Sequence, residues 1–146
     1  MKRQVPELHM LLVAGPRVPR EAFPAHKGLD VLPYVHDLFE HLACADLALV
    51  QGGLSTCMEL VATHRPFLNF PLERHFEQCI HVQTRLHNYC ADCSLRFKDL
   101  TSGELAERAL RAMHKPVTYK PVETDGAARA AREVVSVMEN RAWAAA

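Results

Sequence analysis

The feature that most constrains how this chain can fold is a short apolar strand followed by two glycines and a helix. Residues 47–50 read Leu-Ala-Leu-Val, Gly52 and Gly53 follow, and residues 54–64 carry apolar side chains at helical spacing. Strands without polar alternation are typical of parallel sheets that helices cover on both sides. Residues 67–70 return to a mainly apolar run. The sequence therefore predicts a strand–helix–strand unit with parallel strands.

The same alternation continues on both sides of this unit. Residues 9–14 and 31–35 predict two earlier strands, and a short helix is expected from Asp37. Further helices are expected over residues 76–87, after the capping-box pair Thr101 and Glu104, and from about residue 125. The last helix is predicted to bury one face, made of Ala128, Ala131, Val134, Val135 and Met138. We expect an α/β domain with a doubly wound parallel sheet, whose ligands bind beyond the carboxyl ends of the strands.

Length and charge limit the classes of function. The 146 residues fit one domain, and 17 basic residues balance 17 acidic ones, so no overall charge attracts nucleic acid or an anionic membrane. No apolar run approaches the roughly 20 residues of a membrane-spanning helix, and no secretory signal follows Met1. A cytoplasmic protein is expected. The five cysteines are an odd set and imply no disulfide framework.

The glycine pair suggests a site for an anion. Gly52 and Gly53 let the backbone approach a ligand closely, and Ser55 and Thr56 add hydroxyl groups beside the free N–H groups of the first helical turn. A helix amino terminus also carries about half a positive charge, which suits a diphosphate. Glu59 lies one turn after Ser55 on the same face, where a carboxylate suits the vicinal hydroxyls of a ribose. A tight connection without a ligand remains the alternative for the glycine pair.

A second polar group follows the next predicted strand. Glu77 and Gln78 lie in the loop and helix start after residues 67–70. Neighbouring parallel strands end at the same edge of a sheet, so these side chains can lie beside the glycine pair. A carboxylate and an amide together accept from and donate to the hydroxyl groups of a hexose.

At these residues the chain resembles the carboxyl-terminal domain of GT-B glycosyltransferases, most closely the family 28 group and its relatives. The resemblance covers about residues 8–110. The order of residues that carries it is Ala45, Asp46, Gly52, Gly53, Ser55, Thr56, Glu59, Pro66, Pro71, Glu77 and Gln78. It implies a Rossmann-like domain that binds a nucleoside diphosphate sugar, with UDP or dTDP as the nucleotide, and transfers the hexose with inversion and without a metal.

The resemblance also implies a role for each residue. Gln51, Gly52, Gly53, Ser55 and Thr56 would hold the diphosphate, although many relatives carry histidine where this chain has Gln51. Glu59 would bind the ribose, Glu77 and Gln78 the transferred sugar, and the backbone of the loop at Tyr34 and Val35 the base.

No catalytic residue is assigned to this chain by the resemblance. In the resembled enzymes an amino-terminal acceptor domain supplies the base, and a first strand, glycine-rich loop and helix precede the segment that starts here at Leu8. We therefore expect residues 1–146 to be part of one donor-binding domain, inactive in transfer by itself and inclined to form homo-oligomers.

Two alternatives stay open. A sugar-nucleotide epimerase shares the same fold, and a nucleotide-binding or oligomerisation module would keep the fold without the chemistry. His87, Cys90 and Cys93 could supply three metal ligands, but a structural zinc site usually needs a fourth, so no metal is predicted.

Overall fold

The computed structural model describes residues 5–144, except for the side chains of residues 140–144. Within these residues, strands and helices alternate along the chain as the sequence predicts. The strands are β1 (Met10–Val13), β2 (Leu29–Leu32), β3 (Ala48–Gln51) and β4 (Phe67–Phe70). The α-helices are α1 (Leu38–Cys44), α2 (Leu54–Ala62), α3 (Gln83–Asn88), α4 (Ser102–His114) and α5 (Gly126–Ala144). A π-helix, Glu77–Val82, runs directly into α3.

All the strand pairs in the described part of the chain are parallel, which confirms the predicted α/β class. β1 pairs with β2, with Met10 opposite Leu29, and β3 pairs with β4, with Ala48 opposite Phe67. The strands form two separate two-stranded sheets, and no ladder joins one pair to the other among residues 5–144. A single parallel bridge between Asn69 and Ser94 extends the second sheet beyond β4.

The buried core lies around the second sheet. Helix α2 and the helical segment after β4 cover it, so the α2–β4 half of the molecule carries most of the apolar burial. Its members are Ala48, Cys57, Leu60, Val61, Phe67, Val82, Leu86 and Ala91. The first sheet is less well covered, since Met10, Leu11 and Val13 are each more than a third exposed. The stable framework for a site is therefore the unit of β3, α2 and β4.

Several element boundaries shift by one or two residues from the sequence prediction, and two elements differ more. β2 was expected over residues 31–35 but spans Leu29–Leu32, because Pro33 has no N–H group to donate to a ladder. The helix expected over residues 76–87 is a π-helix followed by α3. The capping box is confirmed: the N–H of Glu104 donates to the Thr101 hydroxyl at 3.3 Å, and the N–H of Thr101 donates to the Glu104 carboxylate at 2.8 Å.

The prediction that α5 buries one face is wrong. Val134, Val135 and Met138 are each more than half exposed, and every α5 residue whose burial is described is exposed. The connection from Pro116 to Asp125 has no regular structure and carries the helix away from the core. The apolar face is present as the spacing predicts, but no part of residues 5–139 covers it. No helix in this described part is long and apolar enough to cross a membrane.

We expect the exposed face of α5 to make the chain self-associate at high concentration, because contiguous apolar surface seeks a partner. Val135→Lys should shift the population toward monomer in sedimentation velocity, since lysine favours a helix but charges this face. Ser136→Lys adds the same charge about 100° round the helix, outside the face made of Ala128, Ala131, Val134, Val135 and Met138, and is the matched control. Equal association of both variants and the wild type would show that α5 does not drive it.

Candidate functional site

Gly52 is a packing requirement of the turn between β3 and α2. It is buried, and a Cβ atom at this position would lie 3.1 Å from the Cα and 3.2 Å from the Cβ of Pro71. Contacts this short are tighter than those of most Cβ atoms, so a methyl group at Gly52 would require Pro71 or the end of β3 to shift by roughly a few tenths of an ångström. The absence of a side chain therefore lets the carboxyl ends of the two strands approach each other closely.

Gly53 is different because it faces open space. No atom lies within 4 Å of a Cβ built at Gly53, and its backbone is extended at φ −70° and ψ 132°. It occupies the N-cap position of α2, and the first helical hydrogen bond runs from the N–H of Cys57 to its carbonyl oxygen at 3.1 Å. The N–H groups of Leu54, Ser55 and Thr56 precede that bond, and no side chain caps the helix. The positive end of α2 is thus left for another group.

The polar side chains of α2 lie as the sequence predicts. Ser55 is exposed, while Thr56 and Glu59 are half-buried. Ser55 and Glu59 are four residues apart in a regular helix and share a face. Within the described part of the chain, the Glu59 carboxylate makes no hydrogen bond or ion pair, so it can accept from hydroxyl groups. Gln51 is exposed at the end of β3, where its carbonyl oxygen accepts from the N–H of Gly53 at 2.8 Å.

The π-helix brings Gln78 back to the end of β4. The N–H of Leu72 donates to Gln78 Oε1 at 2.9 Å, and Leu72 follows Pro71, which contacts the glycine turn formed by Gly52 and Gly53. Gln78 therefore lies beside the turn, as expected from neighbouring parallel strands. Its Oε1 atom is engaged, which leaves the amide Nε2 atom as its donor. Glu77 is exposed and makes no ion pair among the described residues.

The loop predicted to receive a base follows β2. Tyr34 is 71% exposed, whereas Val35 is only 7% exposed and belongs to the buried apolar residues. Only the backbone of Val35 can therefore meet a ligand. Asp37 ends the loop in the left-handed region at φ 49°, and its carboxylate lies 2.6 Å from Nδ1 of His36. Helix α1 packs against α2, which connects this loop to the glycine turn even though β2 belongs to the other sheet.

Two cysteines near the site are shielded from solvent: Cys57 is buried and Cys93 is half-buried. Burial raises the pKa of Cys57, on α2, to about 11, and that of Cys93 to about 12. Both therefore stay protonated at neutral pH, which makes them poor nucleophiles. His87 pairs with Asp92 at 3.1 Å. In the part of the chain that the structure describes, no three His, Cys, Asp or Glu side chains are placed to hold a metal ion.

Asn69 is the residue near the site that the sequence analysis missed. It lies in β4 with a relative exposure of 0%, and its Nδ2 atom donates to Ser94 Oγ at 2.8 Å. Its Oδ1 atom has no hydrogen-bond partner among the described residues and lies 3.4 Å from the Cβ position of Gly52. A polar residue inside the otherwise apolar strand Phe67–Phe70 is a signal that could have found it.

Comparison with known families decides what kind of domain this is. The sequence model of the glycosyltransferase family 28 C-terminal domain matches residues 2–138. The chain belongs to this family. The resemblance inferred from the glycine turn and the segments around it is thereby confirmed. The parallel strands and helices of the structure agree with the Rossmann-like fold expected of a family 28 C-terminal domain.

Relatives of this family 28 domain include glycosyltransferases of two kinds. It is 34% identical over 74 residues to an uncharacterised glycosyltransferase of Methanosarcina acetivorans. These residues are 50% of this chain and 19% of that protein. It is 32% identical over 122 residues to a UDP-N-acetylglucosamine--N-acetylmuramyl-(pentapeptide) pyrophosphoryl-undecaprenol N-acetylglucosamine transferase of Shouchella clausii. That match covers 81% of this chain and 34% of the relative. The chain therefore matches about a fifth of the first relative and about a third of the second.

The two glycines of the turn should respond differently to the same substitution. Gly52→Ala should lower the free energy of unfolding by about 1–3 kcal/mol, because its methyl group overlaps Pro71. Gly53→Ala should change it by no more than roughly 0.5 kcal/mol, because the methyl group has space and reduced unfolded-state entropy offsets a weaker N-cap. Urea denaturation of both variants measures the difference. Equal losses would mean that the contact between Gly52 and Pro71 does not constrain the turn.

Proposed function

We propose that this domain binds the nucleoside diphosphate part of a sugar donor and serves in hexosyl transfer to an acceptor hydroxyl. The observation that carries the proposal is the uncapped amino terminus of α2, which opens at the glycine turn where β3 and β4 end side by side. In parallel α/β sheets this edge is where ligands bind, and a helix amino terminus there suits an anion.

The diphosphate lies against the first turn of α2 in this proposal. The N–H groups of residues 54–56 and the hydroxyl groups of Ser55 and Thr56 donate to phosphate oxygens, and the Gln51 amide adds a donor at the strand end. These donors suit a protein with zero net charge, since they act at short range and need no basic surface. Glu59, one turn further along, accepts from the ribose hydroxyls.

The sugar and the base occupy opposite sides of the diphosphate. Glu77 and the Nε2 atom of Gln78 meet the hydroxyl groups of the hexose, because Gln78 lies beside the glycine turn. The backbone at Tyr34 and Val35 meets the base. A uridine or thymidine diphosphate donor is proposed. The name of the Shouchella clausii relative contains UDP-N-acetylglucosamine, which supports a uridine nucleotide as the first to test.

The chemistry divides between this domain and another part of the enzyme. As the bond between sugar and phosphate breaks, negative charge grows on the departing diphosphate, and the donors at α2 stabilise it. The acceptor hydroxyl must lose its proton to a base, and we assign that base to a separate acceptor-binding domain rather than to any residue of this chain. This division implies that the chain by itself binds a donor without transferring its sugar.

Glu59→Ala should weaken UDP binding by about 1–3 kcal/mol, because the ribose loses a charged hydrogen-bond acceptor. Isothermal titration calorimetry with UDP and dTDP measures the affinity. Glu133→Ala removes an exposed helical glutamate from α5 and is the matched control, which should bind as the wild type does. An unchanged affinity in Glu59→Ala would remove this carboxylate from the site. Failure of the wild type to bind either nucleotide at millimolar concentration would contradict the proposed function and favour a module without the chemistry.

The affinity for UDP should agree within about twofold between solutions with EDTA and with added Mg²⁺. The reason is that the amino terminus of α2 and the hydroxyl groups there supply the hydrogen-bond donors to the diphosphate. The calorimetric titration is repeated under both conditions. A loss of affinity in EDTA that Mg²⁺ restores would show that a metal ion bridges the diphosphate. Incubation of the nucleotide sugar with the enzyme that contains this domain separates the alternatives, since an epimerase yields an altered nucleotide sugar and a transferase yields free nucleotide.

A further inference from the structure

A buried polar side chain in an apolar strand needs a physical reason. Asn69 lies in the core strand β4, where a leucine would bury apolar surface without any desolvation cost. Its Oδ1 atom is buried and has no partner among the described residues, so the hydrogen bonds of Asn69 do not fully offset that cost. Such a group in a native protein calls for an explanation.

The hydrogen bonds of Asn69 continue into a network of side chains in which the donor and the acceptor of each bond are defined. Gln83 Nε2 donates to the carbonyl oxygen of Gln78 at 3.0 Å, which leaves Gln83 Oε1 as an acceptor. The Ser94 hydroxyl donates its one proton to that Oε1 atom and accepts from Asn69 Nδ2. The orientation of each amide is therefore fixed by its neighbour, and Asn69 Oδ1 is left directed at Gly52.

The two ends of this hydrogen-bond network lie at the two segments proposed to hold the nucleotide sugar. One end is the carbonyl group of Gln78, and the other is Asn69 Oδ1, which packs beside Gly52 of the glycine turn and has no hydrogen-bond partner among the described residues. Polar networks in a low-dielectric interior fix geometry more sharply than apolar contacts do, because each bond has a required direction. We propose that Asn69, Ser94 and Gln83 position the glycine turn against Glu77 and Gln78, so that donor affinity depends on them. The proposal rests on the proposed function.

Asn69 acts here as a positioning residue, since its side chain is fully buried and presents no surface to a ligand. The segment that carries Ser94 is also held by the backbone: the N–H of Asn69 donates to the carbonyl of Cys93 at 3.1 Å, and the N–H of Leu95 donates to the carbonyl of Asn69 at 2.8 Å. Removal of the Ser94 hydroxyl therefore cuts the side-chain link and leaves the strand contact in place.

The test compares UDP affinity with thermal stability in the whole chain. Asn69→Leu removes the hydrogen bonds of Asn69 but nearly keeps the side-chain volume. The melting temperature should therefore stay the same or rise, while UDP affinity should fall about three- to tenfold. A merely structural role predicts that both fall together. Ala109→Gly is the control, because it destabilises the fully buried centre of α4 and should lower the melting temperature without changing UDP affinity.

Ser94 gives a second variant in case Asn69→Leu does not fold. Ser94→Ala should weaken UDP binding by a similar factor, and Ser94→Thr, which keeps the hydroxyl, should bind within about twofold of the wild type. Wild-type affinity in both Asn69→Leu and Ser94→Ala overturns the positioning role but leaves the proposed function intact. A wild-type chain that binds no UDP at all is instead a failure of the proposed function.

Discussion

The parallel register of β3 and β4 is the constraint on which the candidate site depends. Gln51 lies opposite Phe70, so both strands end at the same level and Gly52 meets Pro71 directly afterwards. The core fixes this register, because Phe67 and the α2 residues Leu60 and Val61 are almost fully buried on the same sheet. A slip of one residue would turn every buried side chain of a strand to the other face. The opening of α2 and the return of Gln78 to the strand end both depend on this alignment.

Several features near this edge depart from what local sequence rules favour and still occur together. Helix α2 has no side-chain cap, Gly52 gives up any side chain for a close approach, and Asn69 leaves a buried oxygen without a partner among the described residues. By contrast α4, far along the chain, begins with a complete capping box. When such departures cluster in one region and the rules are followed elsewhere, they indicate that the region serves a function other than stability. Here that region coincides with the edge where parallel sheets bind ligands.

The sequence predicted well those features that depend on neighbours along the chain. The strands, the glycine turn, the start of α2 and the Thr101 capping box follow from patterns of a few residues, and the structure has all of them. The exposed face of α5 could not be predicted, because helical periodicity shows that a face could pack and not whether anything packs on it. Asn69 and Ser94 meet across 25 positions, and only the fold shows this. The ligand contacts of Glu59, Glu77 and Tyr34 remain predictions.

The π-helix at Glu77–Val82 makes the length of this segment as important as its composition. Its wider turn lets the carbonyl group of Gln78 reach the side chain of Gln83, five residues later. Deleting one residue here would allow an ordinary α-helix, in which main-chain bonds join residues four apart instead of five. The bond from Gln83 Nε2 to the Gln78 carbonyl oxygen depends on the present spacing and would be lost. Evolution can therefore exchange side chains in this segment more easily than it can change the number of residues.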